Sequence, residues 1–284
     1  MSTTRPLAIP EPIGEARVDA LRTLIAIVDR LRARDGCPWD LKQTLASVAP
    51  HLIEESHELL EAIETAENNE DAHTVEEAGD LLMGVVLLAR IAQDDGRFDL
   101  ARIASAVCDK LVRRHPHVFG EAHAADANEA LSNWESIKRA ERAEAAVDPS
   151  ALAGAPIAMP ALQRAKRLGE KAMSAGFRWD DARGALRKVR EELEELEAAF
   201  EAAQAAQAGE RESLHLEHEL GDVMLAAAFL GNYVGLDPER AARLALRRFE
   251  ARFRSMEQEL ARPLKECTLD QLMAAWGRAK ERVG

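Results

Sequence analysis

Glu55 and Glu58 stand three residues apart, as do Glu77 and Asp80, and the same two pairs recur as Glu192 with Glu195 and Glu219 with Asp222. Side chains three apart on a helix lie on nearly one face, so each pair presents two carboxylates side by side. If the helices carrying them pack antiparallel, four carboxylates meet. Charges so close repel strongly unless a cation neutralises them, and an all-oxygen ligand set suits magnesium, or manganese, rather than zinc or copper. Such a cation cluster binds phosphate oxygens, neutralises developing charge and activates a water for in-line attack, so phosphoanhydride hydrolysis is the natural chemistry. Lys188, Arg248, Arg252 and Lys280 are candidates for holding the outer phosphates, Arg through bidentate forks. Trp276 is a candidate for stacking on a base. A chain with 50 acidic residues produces Glu-Glu-x-x-Glu by chance, and either half-motif alone reads as a solvated helix face. The pairing of both half-motifs, duplicated, with Asp80 and Asp222 each opening an apolar stretch, favours a site.

The elements that must position these residues form a tandem repeat. Gly36-Cys37-Pro38-Trp39-Asp40 has its counterpart in Gly176-Phe177-Arg178-Trp179-Asp180 at an offset of 140. Glu55 and Glu58 map to Glu192 and Glu195 at 137, and Glu77 and Asp80 to Glu219 and Asp222 at 142. Lys110 and Arg114 align with Arg248 and Arg252, and Trp134 and Lys138 with Trp276 and Lys280. The division expected is a disordered tail over 1–16, one helical domain over 17–140, a linker over 141–160 and a second helical domain over 161–284. The spacing of Val18, Leu21, Leu24, Ile25, Val28 and Leu31 is helical. Leu81 to Ala92 and Val223 to Leu230 are apolar nearly all round, which marks the most buried helix of each repeat. Four or five helices are expected per repeat. Asp99, Asp126, Asp237 and Asp270 are candidate N-caps, and Pro238 suits a first turn. Asn68 to Asp71 and Gly209 to Arg211 read as loops. The glycine of Glu-x-Gly-Asp is expected to admit a neighbouring helix.

Composition agrees with an all-α class: aromatics are 4% and charged residues 31%, with Ala, Leu, Glu and Arg dominant. A net charge of -13 argues against binding a nucleic-acid polymer. No signal peptide or bilayer-spanning stretch is legible, so no membrane partner is expected. Three scattered cysteines, Cys37, Cys108 and Cys267, offer no disulfide framework and suit a reducing cytoplasm. Two other readings compete. Glu54-x-x-His57 and Glu212-x-x-His215 have the spacing used by helical di-iron proteins, but His57 corresponds to Glu194, whereas the carboxylates at 55, 58, 77 and 80 all have acidic counterparts. A helical binding module whose acidic sites have lost turnover is the non-enzymatic alternative.

Longer strings carry a family resemblance over almost the whole chain beyond the first fifteen or so residues. They include Lys110-Leu111-Val112-Arg113-Arg114-His115-Pro116-His117-Val118-Phe119-Gly120, Pro160-Ala161-Leu162-Gln163-Arg164-Ala165-Lys166 and Lys188-Val189-Arg190-Glu191-Glu192, beside the motifs above. The chain resembles the MazG-type nucleoside triphosphate pyrophosphohydrolases of the all-α NTP pyrophosphatase superfamily. The resemblance implies a homodimer, magnesium dependence, and cleavage between the α and β phosphates of NTPs and dNTPs with broad base tolerance, a nucleotide-pool house-cleaning activity. It assigns triphosphate hydrolysis to the second repeat, with Glu192, Glu195, Glu219 and Asp222 on magnesium. Lys188 and Glu191 lie against the nucleotide in that scheme, and Arg248, Arg252 and Trp276 complete its pocket. Leu246-Arg247-Arg248 departs from the family's Asn-x-Lys, His218 stands where an acidic residue is common, and His51 takes the place of Lys188 in the first repeat.

Overall fold

The computed structural model describes residues 15–66, 71–144, 148, 150–205 and 210–284, and contains helices and no strand among them. It divides into two units, Met1–Ala145 and Ala146–Gly284.

The first unit holds α1 (Glu15–Leu31), α2 (Leu45–Thr65), α3 (Ala72–Asp94), α4 (Leu100–Arg114), the four-residue α5 (Pro116–Phe119) and α6 (Ala127–Glu144). Its core is aliphatic: Val28, Val48, Val86, Leu87 and Ile91 are buried, with Leu24, Ile25, Leu45, Leu52 and Met83 packed around them. The helical stripe of α1 therefore docks through Leu24, Ile25 and Val28, while Leu21 stays 49% exposed. Leu52 of α2 meets Gly84 of α3, and Glu55 meets Glu77 and Asp80, so the two helices run antiparallel. A Cβ at Gly84 would stand 2.7 Å from Leu52 Cδ2, which fixes this residue as the point of close approach. Arg32, its side chain only 7% exposed, ties the end of α1 to α3 through Asp94 and donates to the Asp40 carbonyl in the Trp39-Asp40 turn.

The second unit holds α7 (Ala161–Ser174), α8 (Ala182–Ala205), α9 (Glu210–Val234), α10 (Pro238–Leu260) and α11 (Leu269–Val283). Alanines dominate its buried positions, among them Ala165, Ala185, Ala199, Ala203, Ala226 and Ala228, so α8 and α9 pack closely along their length. Small side chains let helix axes approach, since interaxial distance follows the residues at the contact. Here the Trp turn is fixed differently: the Trp179 N–H donates to the Tyr233 hydroxyl at 2.7 Å, and that hydroxyl lies 3.3 Å from the Trp179 carbonyl.

Several sequence expectations need correction. Among the described residues the first unit has five longer α-helices and the four-residue α5, and the second has five. Residues 1–14 and 67–70 lie outside the described residues, but Glu15 and Ala16, expected in the tail, open α1, and Glu210 and Arg211, expected in a loop, open α9. The helix α6 continues to Glu144, into the expected linker. Asp99, Asp126 and Asp237 accept the N-terminal amides as expected, whereas Thr268 caps α11 in a capping box with Gln271 and Asp270 sits inside the first turn. Leu220, Met224 and Leu225 are 46%, 53% and 39% exposed, so the apolar surface of α9 is not wholly covered by this chain. Among the described residues a Cβ at Gly79 or Gly221 would meet nothing within 4 Å, so none of their helices approaches closely there. Their expected packing role belongs instead to Gly84 and, in α7, to Gly169, whose Cβ would collide with Asn232 and Phe229.

Candidate active site

The antiparallel pairing brings the acidic residues together in each unit. On α8 and α9, ligand oxygens of Glu192, Glu219 and Asp222 all lie within 4.8 Å of one another. Glu192 is 7% exposed and the Glu219 side chain 14%. A polar atom removed from water without a partner is costly, and Glu219 Oε2 is buried with no hydrogen-bond partner among the described residues. Glu195, one turn along from Glu192, stands at the edge of this group. Its carboxyl is held above the ordinary range, first by a hydrogen bond with Glu192 and then by burial, with the Glu192 and Glu219 charges adding to both. Lys188 supplies a close cation, 2.8 Å from Glu192 and 2.5 Å from Glu191. Hydrogen bonds to Glu191 and then Glu192 push its ammonium further towards the charged form.

The first unit repeats the geometry with Glu55, Glu77 and Asp80, again within 4.8 Å. Burial, then the charges of Glu58, Asp80 and Glu77, push the Glu55 carboxyl up. His51, at the position of Lys188, contacts Glu54 at 3.6 Å.

An all-oxygen set with an orphaned carboxylate oxygen fits a hard divalent cation such as magnesium. It fits the di-iron alternative poorly, because none of Glu54, His57, Glu212 and His215 belongs to either carboxylate triad.

The remaining predicted residues fall on other helices. Arg248 and Lys280 are exposed on α10 and α11. Arg252 donates to the Gly284 carbonyl at 2.6 Å while its Nε is buried without a partner. Trp276 packs beside Met256, Ala275 and Ala279, its ring centroid 5.5 Å from that of Phe249. In the first unit, Arg114 and Lys138 lie over the Trp134 ring at 5.5 and 4.7 Å from its centroid. Arg113 and Arg114 both grip Glu141, whose carboxyl they hold down at about 2. The spacing arguments leave out His73, which lies 3.3 Å from Glu77, and set His215 only beside Glu212, whereas it lies 3.3 Å from Glu219. The signal was present, since both histidines stand four residues before their glutamate in the repeat register.

Residues 43–119, which span α2 to α5, match the model of the MazG nucleotide pyrophosphohydrolase domain. That match and the helix-borne carboxylates define a class, the all-helical hydrolases that act on phosphoanhydride bonds. The chain is 40% identical over 263 residues to the nucleoside triphosphate pyrophosphohydrolase of Escherichia coli K12, covering 91% of this chain and 96% of that protein. It is 37% identical over 260 residues to the nucleoside triphosphate pyrophosphohydrolase/pyrophosphatase MazG of Thermotoga maritima, covering 90% and 94%. The chain belongs to the MazG family of nucleoside triphosphate pyrophosphohydrolases.

Proposed function

We propose that the chain hydrolyses NTPs and dNTPs to the monophosphate and pyrophosphate with magnesium, as nucleotide-pool house-cleaning, and that the second unit carries the main site. The observation that supports this most is the convergence of Glu192, Glu219 and Asp222, with Glu195 beside them and one oxygen of Glu219 left without a partner. Glu192, Glu195, Glu219 and Asp222 hold the cation, with manganese an acceptable substitute. A bound divalent cation supplies charge neutralisation on the phosphates and activation of a water. Lys188 carries positive charge to the same carboxylates and, with Glu191, faces the incoming nucleotide. Arg248, Arg252 and Lys280 hold the β and γ phosphates, which stabilises pyrophosphate as the leaving group, and Trp276 borders the base. Glu55, Glu58, Glu77 and Asp80 form a second site of the same kind.

The functional form is a homodimer. Leu186, Leu193 and Phe200 of α8 stand seven residues apart and are 39%, 49% and 50% exposed, a stripe suited to a second copy. The workplace is the cytoplasm: the three cysteines are unpaired, as a reducing compartment keeps them, and among the described residues no helix is long and apolar enough to cross a membrane.

The deciding experiment is product chromatography on a panel of NTPs and dNTPs with and without magnesium. The expected products are monophosphate and pyrophosphate, formed only with the cation. ADP and orthophosphate from ATP would assign the wrong bond, and full turnover in chelator would remove the metal.

A further inference from the structure

His73 on α3 and His215 on α9 stand four residues before Glu77 and Glu219, on the same helical face. In each unit the imidazole Nδ1 lies 3.3 Å from Oε1 of that glutamate. The two histidine side chains are equally exposed, at 59%, and the glutamates are equally sheltered, at 13% and 14%. Residue type, spacing, distance and exposure are thus the same in both copies. The intervening position has meanwhile diverged, from Glu76 to His218. A chance surface pair does not account for one contact kept twice beside a position that has changed.

We propose that His73 and His215 are positioning residues for the metal-site glutamates, an inference that rests on reading the carboxylate clusters as metal sites. At 3.3 Å each Nδ1 is within reach of Oε1, and because a carboxylate only accepts, a proton on Nδ1 is what would make the contact favourable. One oxygen of the glutamate is then committed to the histidine. The other remains to ligate: in the second unit this is Oε2 of Glu219, the atom buried without a partner. The histidine also makes the glutamate a one-oxygen ligand, which suits the tight octahedral shell of magnesium better than the crowded shell of calcium. A glutamate held in one rotamer before the cation arrives loses less side-chain entropy on binding.

The test uses the full chain and Mn2+ as the probe, with free Mn2+ read by electron paramagnetic resonance at pH 8. Three double variants are compared with the original chain: H73A/H215A, H73N/H215N and E77Q/E219Q. Asn is the conservative variant because its Nδ2 lies near the place of the imidazole Nδ1 and also donates. H73A/H215A should bind Mn2+ about tenfold more weakly, the usual effect of removing an outer-shell partner. Its melting temperature in chelator should be unchanged, because both histidines are exposed. H73N/H215N should recover near-original affinity, and E77Q/E219Q should lose binding. Unchanged affinity in H73A/H215A, with E77Q/E219Q inactive in binding, overturns the positioning role and leaves the metal site standing. Failure of Asn to rescue overturns it too, as does a directly coordinated 14N in the spin-echo spectrum of bound Mn2+, which would make the histidines ligands. If E77Q/E219Q binds like the original chain, the metal-site reading fails first and the inference with it.

Discussion

Glu192 is the residue on which the proposed main site turns, because it is nearly buried, bonded to Lys188 and within reach of both α9 carboxylates. Replacing it by Gln keeps its shape and removes its charge, so E192Q should abolish pyrophosphate release while the helical circular dichroism persists. Retained activity would move the main site to the first unit. Arg252 is a different case, since it stands on α10 and already holds the C-terminal carbonyl. If it grips the phosphates, R252A should cost about 2 to 4 kcal/mol of transition-state stabilisation, by analogy with losing one preorganised donor to developing charge. That loss is read as kcat/KM against a triphosphate. An effect confined to melting temperature would return Arg252 to a structural role.

At the level of helices, the clamp between α4 and α6 depends on Glu141, which both Arg113 and Arg114 grip. Its carboxyl sits at about 2 rather than 4.5. The folded state therefore binds fewer protons here than the unfolded one, and the stabilisation is complete above pH 4.5 and lost as pH falls towards 2. Denaturant titrations should find E141Q less stable by about 1 to 3 kcal/mol at pH 7, with a difference roughly half that or less at pH 3. A pH-independent gap would contradict the ion-pair account. The glycines give a second expectation. Ala at Gly79 or Gly221 meets nothing among the described residues, so each change should stabilise its helix by about 0.5 to 1 kcal/mol in thermal melts. A loss of activity in a more stable protein would show that the glycine face receives the nucleotide or a second copy.

The same scale shows what a sequence can reveal. Helix type, the antiparallel carboxylate pairs and the caps at Asp99, Asp126 and Asp237 were legible, because they rest on local spacing and local amides. Burial around α9 was not, since Met224 and Leu225 are as apolar as any core residue and only tertiary packing decides which face is covered. The cap of α11 went astray for a related reason: Thr268 and Asp270 are both good caps, and the reciprocal bond with Gln271 selects Thr268. Trp276 has Phe249 beside it at a ring-centroid distance of 5.5 Å, a neighbour that no spacing rule announces. The histidines beside Glu77 and Glu219 were visible as letters in register, but their distance to a carboxylate needed coordinates.

For the molecule as a whole, charge crowding predicts a response to cations. Each unit gathers three carboxylates within 4.8 Å, and anything that binds only the folded form raises its stability by mass action. Magnesium should therefore raise the melting temperature and chelator lower it, with calcium the weaker stabiliser. A melt indifferent to both ions would deny the sites. The exposed heptad stripe on α8 makes a second whole-molecule prediction. Light scattering should report a dimer, and L193E/F200E should convert it to monomer with its helicity kept. A monomeric original chain would leave the stripe unexplained.

Lys188 has one more consequence. Its ammonium rests on Glu192 at 2.8 Å, a counterion tethered by the chain itself, whereas His51 in the first unit reaches only as far as Glu54. The second unit thus keeps a positive charge beside its carboxylate triad before any cation arrives. If both triads take the proposed cation, the two units should therefore differ in chelator, the first losing more of its stability than the second.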